Sequence, residues 1–319
     1  MSKQHMAASR SGDQRDQGLQ GHQGDQGDQG DQGESIDRVA PGWLRGHVLR
    51  YRGYRMAGPR PPRLSLPSAT VTLLLGWGDP LHITDGLNRA GPSSVWPAMI
   101  AGIQTAPVLA GYLGPGHAVE VDFTPLGAHR CMRIPLHHLA RAVIEPDEVM
   151  GAGWTTRLTE QLAAAPNWPR RWAILDSLLA RQLASGPPAS PLITEVWDLI
   201  CTRDGGVTLR ELTHTTGRGS RRIQGLFREH VGIPPQTVSR ILRFHRTLAI
   251  ASSGCPSLAQ LAALGGYHDQ AHMSREFRAL SGHTPQQLCG LVKQESGSRH
   301  GDRTQRFSDF FLREREGSG

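Results

Sequence analysis

No run of eighteen apolar residues occurs anywhere in this chain, so no segment is suited to crossing a membrane as a helix. Cysteine is scarce. The four, Cys131, Cys201, Cys255 and Cys289, stand far apart and never as CxxC. That scatter speaks against a zinc finger or a disulfide framework and fits reduced thiols in a cytoplasmic protein. Also missing are the Gly-x-Ser-x-Gly nucleophile turn, the phosphate loop and the dinucleotide fingerprint, which removes the usual anchors of hydrolases, nucleotide enzymes and oxidoreductases. His137-His138 and the i, i+4 pair His268/His272 are the nearest approach to a metal site. The latter lacks the Glu that follows the first His in zinc proteases. No catalytic residue, cofactor or metal is expected.

What is present is unevenly spread. The formal net charge is +7 over 319 residues, which fits a polyanionic partner without specifying one. The first 35 residues do not carry it: Lys3, Arg10 and Arg15 face six acids there, a net −3. Gly-Asp-Gln triplets run from Gly24 to Gln32, and a segment with almost nothing to bury is expected to be disordered. It has no apolar core to serve as a signal peptide. The positive charge is denser from Arg218 to Arg246, where seven arginines meet one acid, Glu229.

That basic region begins a repeat. Ile223, Phe227, Arg228, Gly232 and Pro235 align with Met273, Phe277, Arg278, Gly282 and Pro285, fifty residues later. A fixed internal period means one supersecondary unit used twice. In the first copy Leu209 and Leu212 give a short helix, Gly217 a turn, and Ser220 to about His230 a second helix, stopped by Gly232 and Pro234-Pro235. In the second, Leu258, Leu261 and Ala262 lead to the Gly265-Gly266 turn, and Asp269 caps the helix carrying Met273 and Phe277. Each second helix buries an i, i+4 pair. The opposite faces carry Arg221, Arg222, Gln224 and Arg228, then Gln270, Ala271, His272 and Arg275. Arg donates a fork to guanine, Gln pairs with adenine, and Ala meets the thymine methyl.

With Leu261-Ala262, Gly266-Tyr267, Asp269-Gln270, His272, Ser274-Arg275-Glu276-Phe277, Gly282 and Thr284-Pro285 in place, the stretch from about Val207 to Leu288 resembles the DNA-binding domain of AraC/XylS-type transcription regulators. Phe227, Gly232, Pro235 and Arg243-Phe244 extend the likeness into the first copy. The resemblance implies two helix-turn-helix units joined by a stiff helix around Val238 to Ala251, binding double-stranded promoter DNA. The first copy departs from the family pattern. Thr213 follows Leu212 where Ala is usual, Gly219 stands where a Ser cap is usual, and Gly225 replaces an Arg. Arg218, Arg240, Arg243 and Arg246 are candidates for phosphate support, Arg243 alternatively for packing.

Upstream, extended patterns at Val48–Met56, Thr70–Trp77, Val95–Ile103, Val108–Leu113 and Val119–Phe123 are divided by Gly-Pro turns. Helical patterns follow at Leu136–Val143, Thr155–Ala164 and Arg170–Leu183. The fold class expected is α+β, with a β-rich, small barrel-like N-terminal domain bearing helices and an all-α C-terminal domain of two helix-turn-helix units. The division is a tail at 1–35, a sensor and dimerisation domain at 36–185, a linker at 186–191, the DNA-binding domain at 192–292 and a polar tail at 293–319. Resemblance implies a possible small-molecule or protein signal at the N-terminal domain, a homodimer, and RNA polymerase as partner if the protein activates. Trp77, Trp96, His82 and His117 could line a ligand pocket or simply fill the core. A rival of another class is a DNA-repair alkyl acceptor fused to such a DNA-binding domain. Cys131, beside Arg130 and Arg133, is its one candidate thiol.

Overall fold

The computed structural model describes residues 33–59, 61–88, 90–253, 257–296 and 311–313. The tail expected at 1–35, most of the segment after Val292, and Cys255 lie largely or wholly outside them. Two open antiparallel sheets make up the β-rich part. One contains β1 (Glu34–Val39), β2 (Val48–Met56), β4 (Val71–Gly78), β7 (Ala98–Ala101), β9 (Gly116–Phe123) and β10 (Val143–Ile144), in the order β1-β2-β9-β4-β7-β10. The other contains β3 (Arg63–Ser65), β5 (Leu81–Asp85), β6 (Ser94–Trp96), β8 (Val108–Tyr112) and β11 (Phe311–Arg313), in the order β11-β3-β8-β5-β6. The barrel-like expectation therefore holds only loosely, because the sheets stay open.

Alternation along the central strand β9 decides what each face meets. Val119, Val121 and Phe123 join Val71, Leu73 and Leu75 of β4 in the main core. That face is covered by α1 (Pro125–Met132), α3 (Trp154–Ala164) and α4 (Trp168–Ser185). Helix α4 presents Trp172, Leu175, Leu179 and Leu183, a three-and-four spacing that makes one apolar stripe. Its Asp176 accepts from Tyr51 Oη at 2.9 Å and Arg38 Nη2 at 2.8 Å, tying the helix to the sheet.

The opposite face of the same sheet is split. At one end Met56, Leu74, Met99 and Ala118 pack with Leu81 and Tyr112 of the second sheet. At the other, Arg50 pairs with Asp122 at 2.9 Å and Arg52 with Glu120 at 3.4 Å, all four buried. Tyr54 Oη donates to Glu120 at 3.1 Å and Thr72 Oγ1 to Asp122 at 2.8 Å. Partners of this kind offset the cost of burying charge.

Two sequence expectations need correction. Leu136–Val143 is not a helix: a 3-10 turn covers Leu136–His138, and Arg141 takes φ +60° before the short strand β10. A left-handed residue there ends any helical course. Val95–Ile103 is two strands, β6 and β7, assigned to different sheets, because Pro97 interrupts the ladder.

The helical half follows Gly186. It contains α5 (Pro191–Thr202), α6 (Leu209–Thr216), α7 (Ser220–His230), α8 (Pro235–Ser253), α9 (Leu258–Leu264), α10 (Gln270–Ser281) and α11 (Pro285–Ser296), with α2 (Asp147–Met150) earlier in the chain. Helix α8 is the axis of this half, burying Val238, Ile241, Leu242, Phe244, Leu248 and Ala251. It also touches the β-rich part. His245 Nε2 lies 2.6 Å from the Pro67 carbonyl. At the end of α7, the His230 ring meets His129 of α1 edge-on at 4.2 Å, and burial, aided by His129, pushes the His230 pKa down. Gly232 follows at φ +94°, where a Cβ would come within 2.7 Å of the Leu136 carbonyl oxygen. Both conformation and space require glycine there.

Candidate nucleic-acid interface

Helix α6 opens with a capping box. Thr208 Oγ1 accepts from the Glu211 N–H, and the Glu211 carboxylate accepts from the Thr208 N–H. The turn at Gly217 then sets α7 across it. Helix α7 buries Ile223 and Phe227, both fully covered, with Trp197 of α5 lying 6.4 Å from the Phe227 ring. Its other face is open: Arg221, Arg222, Gln224 and Arg228 are exposed, as is Arg218 ahead of it. The helix begins at Gly219 with no side-chain cap.

The second unit is better anchored. Ser257 and Gln260 form a capping box on α9, and Asp269 accepts from the His272 N–H at 2.6 Å to cap α10. That bond is the leading cause holding the Asp269 carboxyl below the usual range. Met273 and Phe277 are fully buried, and Phe277 packs edge-on against Phe244 of α8 at 4.9 Å. Gln270, Ala271 and Arg275 are exposed, while His272 is partly covered.

Of the eight residues singled out, seven thus stand on open outer faces of α7 and α10, and His272 stands at the margin of the second. Arg218 and Arg246 are exposed. Arg240 and Arg243 are instead engaged by the buried carboxylate of Glu276, at 2.7 Å and 3.5 Å, and Arg243 lies over the Tyr267 ring at 5.2 Å. Their first duty is structural, joining α8 to α10. In the sequence Glu276 stands only within the Ser274-Arg275-Glu276-Phe277 motif, with no role of its own. Its only signal is an acid on a helix otherwise rich in bases. Arg203, Arg210, Glu211, His214 and Thr215 line an open depression of about 470 Å³ beside α6. Arg210 and His214, four apart on that helix, were its legible trace.

The proposed pocket quartet does not converge. Trp77 and His117 stack at 5.5 Å on the helix-facing side, with the Arg171 guanidinium over Trp77 at 5.4 Å. Trp96 packs with the second cluster, and His82 alternates away from Leu81 and Ile83, which enter it. Cys131 is buried, and burial pushes its thiol up to about 12; Cys201 is pushed up to about 12 by the same cause. A protonated, covered thiol is a poor alkyl acceptor. Among the described residues no group of three or more His, Cys, Asp or Glu is arranged to hold a metal ion, and no helix is long and apolar enough to cross a membrane.

Residues 212–289 match the family model of a helix-turn-helix domain. No curated protein matches the chain. Among solved structures, ToxT from Vibrio cholerae O395 is similar at 8% identity and TM-score 0.40, over 76% of this chain and 97% of that one. An AraC-type DNA-binding-domain regulator from Chromobacterium violaceum is similar at 21% identity and TM-score 0.30, over 33% and 94%. The AraC-like transcriptional activator CuxR follows at 12% and 0.25, over 73% and 91%. Residues 212–289 are thus a helix-turn-helix domain. Its two units, α6–α7 and α9–α10, stand on either side of the single connecting helix α8.

Proposed function

We propose that this chain is a sequence-specific transcription regulator that binds promoter DNA with α7 and α10 in successive major-groove faces of one duplex, about 34 Å apart. One observation carries this reading. Both helices bury an i, i+4 apolar pair and turn Arg221, Arg222, Gln224 and Arg228, or Gln270, Ala271 and Arg275, to solvent. His272 completes the second set. The β-rich part would receive a small-molecule or protein signal and mediate a homodimer, the protein working in the cytoplasm without catalysis and contacting RNA polymerase where it activates.

The test is selection of bound DNA from a random pool at stated salt. The expected product is a motif of about twenty base pairs with two half-elements. Recovery of no motif refutes sequence-specific regulation. Transfer of a methyl group to the protein from alkylated DNA, seen by mass spectrometry, would favour the repair reading instead.

A further inference from the structure

Glu276 has no counterpart in the first unit, where Leu226 stands fifty residues earlier. Its carboxylate is buried between two helices. Oε1 accepts from Arg240 Nε at 2.7 Å and lies 3.7 Å from His272 Nε2, while Oε2 lies 3.5 Å from Arg243 Nη2. His272 sits one turn earlier on the same helix, with a side chain 34% exposed. The Tyr267 ring meets its imidazole edge-on at 5.4 Å. The groups facing that imidazole are therefore Glu276 and Tyr267, with Arg240 and Arg243 of α8 behind the carboxylate. Asp269 and His268 lie at the helix start, paired with each other at 3.0 Å.

An imidazole whose Nε2 edge faces a negative oxygen keeps its proton there, and the other nitrogen is left to act outward. With the proton on Nε2, that nitrogen, Nδ1, accepts. The major groove offers donors at adenine N6 and cytosine N4, and acceptors at guanine O6 and N7.

We infer that Glu276 is a positioning residue that sets the His272 ring so that Nδ1 reads a base edge by accepting from an exocyclic amino group. The inference rests on α10 being a recognition helix, as proposed above. Glu276 touches no base; it acts through His272, and through Arg240 and Arg243 it holds α10 at a set angle to α8. The first unit, with Arg222 in the place of His272, has no such reader.

The experiment uses the full chain and duplexes carrying the selected motif, with each of the four base pairs at the position whose preference His272→Ala flattens. Affinity is followed by fluorescence anisotropy at fixed pH and ionic strength. The wild type is expected to favour adenine or cytosine at that position by about tenfold. Glu276→Gln keeps the shape and an oxygen for Arg240 but removes the charge. It should reduce the preference to about threefold or less, leaving the position read by Arg275 intact. If Glu276→Gln does not fold, Glu276→Asp, which keeps the charge, must retain the preference. Wild-type preference in Glu276→Gln, its loss in a folded Glu276→Asp, or no position flattened by His272→Ala each overturn the inference while leaving the regulator reading standing. Failure of the selection to yield any motif removes both.

Discussion

The contact of His245 with the Pro67 carbonyl makes stability depend on pH in a calculable way. The ring is 5% exposed, and burial pushes its pKa down to about 4, the hydrogen bond to Pro67 opposing part of that fall. In the unfolded chain an imidazole titrates near 6.5. Between those values the unfolded chain takes up a proton that the folded chain refuses, so this contribution is complete above about pH 6.5 and drains away as the pH falls toward 4. At about 1.36 kcal/mol per pH unit, the gap between 6.5 and about 4 is worth about 3 kcal/mol. His245→Gln removes the titration and keeps an N–H for Pro67. Urea unfolding of both proteins, followed by tryptophan fluorescence at pH 7, 6, 5 and 4, isolates this one group, since the others cancel in the difference. The wild type should lose about 3 kcal/mol relative to the variant over that range. A difference that stays level from pH 7 to pH 4 would refute the reasoning.

Phe277→Ala empties a fully covered site between Phe244 and Tyr267 and should cost about 3–5 kcal/mol in urea unfolding. Gly205→Ala places a Cβ against the Ser239 backbone at φ +76°. The left-handed strain and the clash together should cost about 2–5 kcal/mol, read as a lower melting temperature. Arg275→Ala, acting at an exposed position on α10, should cost about 1–3 kcal/mol of binding and relax the preference at one base pair. Arg218→Ala should weaken all sequences alike and lower the slope of log affinity against log salt by about one. Equal effects of Arg275→Ala on matched and mismatched duplexes would assign it to the backbone instead.

The C-terminal half was readable because its punctuation is local. Gly217, Gly232 and Gly282 end helices, Asp269 and Thr208 begin them, and the pairs Ile223/Phe227 and Met273/Phe277 recur at helical spacing. The N-terminal half depends on pairings distant in the chain, and there the reading thinned. Helix α1 was missed although Thr124 caps it by accepting from the Gly127 N–H and Pro125 occupies its first turn. Gly127, His129 and Arg130 hid its apolar stripe, since even the polar His129 is buried. Arg50 and Arg52 alternate as a solvated strand face would, yet they point into the molecule. Only their register against Asp122 and Glu120 on β9 explains that, and register is not written in either strand alone. Glu276 was quoted as part of a motif, but its partners come from a helix more than thirty residues earlier.

The unbroken helix from Pro235 to Ser253 makes the spacing between the two helix-turn-helix units a matter of integers. One residue added near its middle would advance everything beyond it by about 1.5 Å and swing it through about 100°. Since α10 leans on α8 through Phe244, Arg240 and Arg243, such an insertion would turn the outer face of α10 away from its present bearing to that of α7.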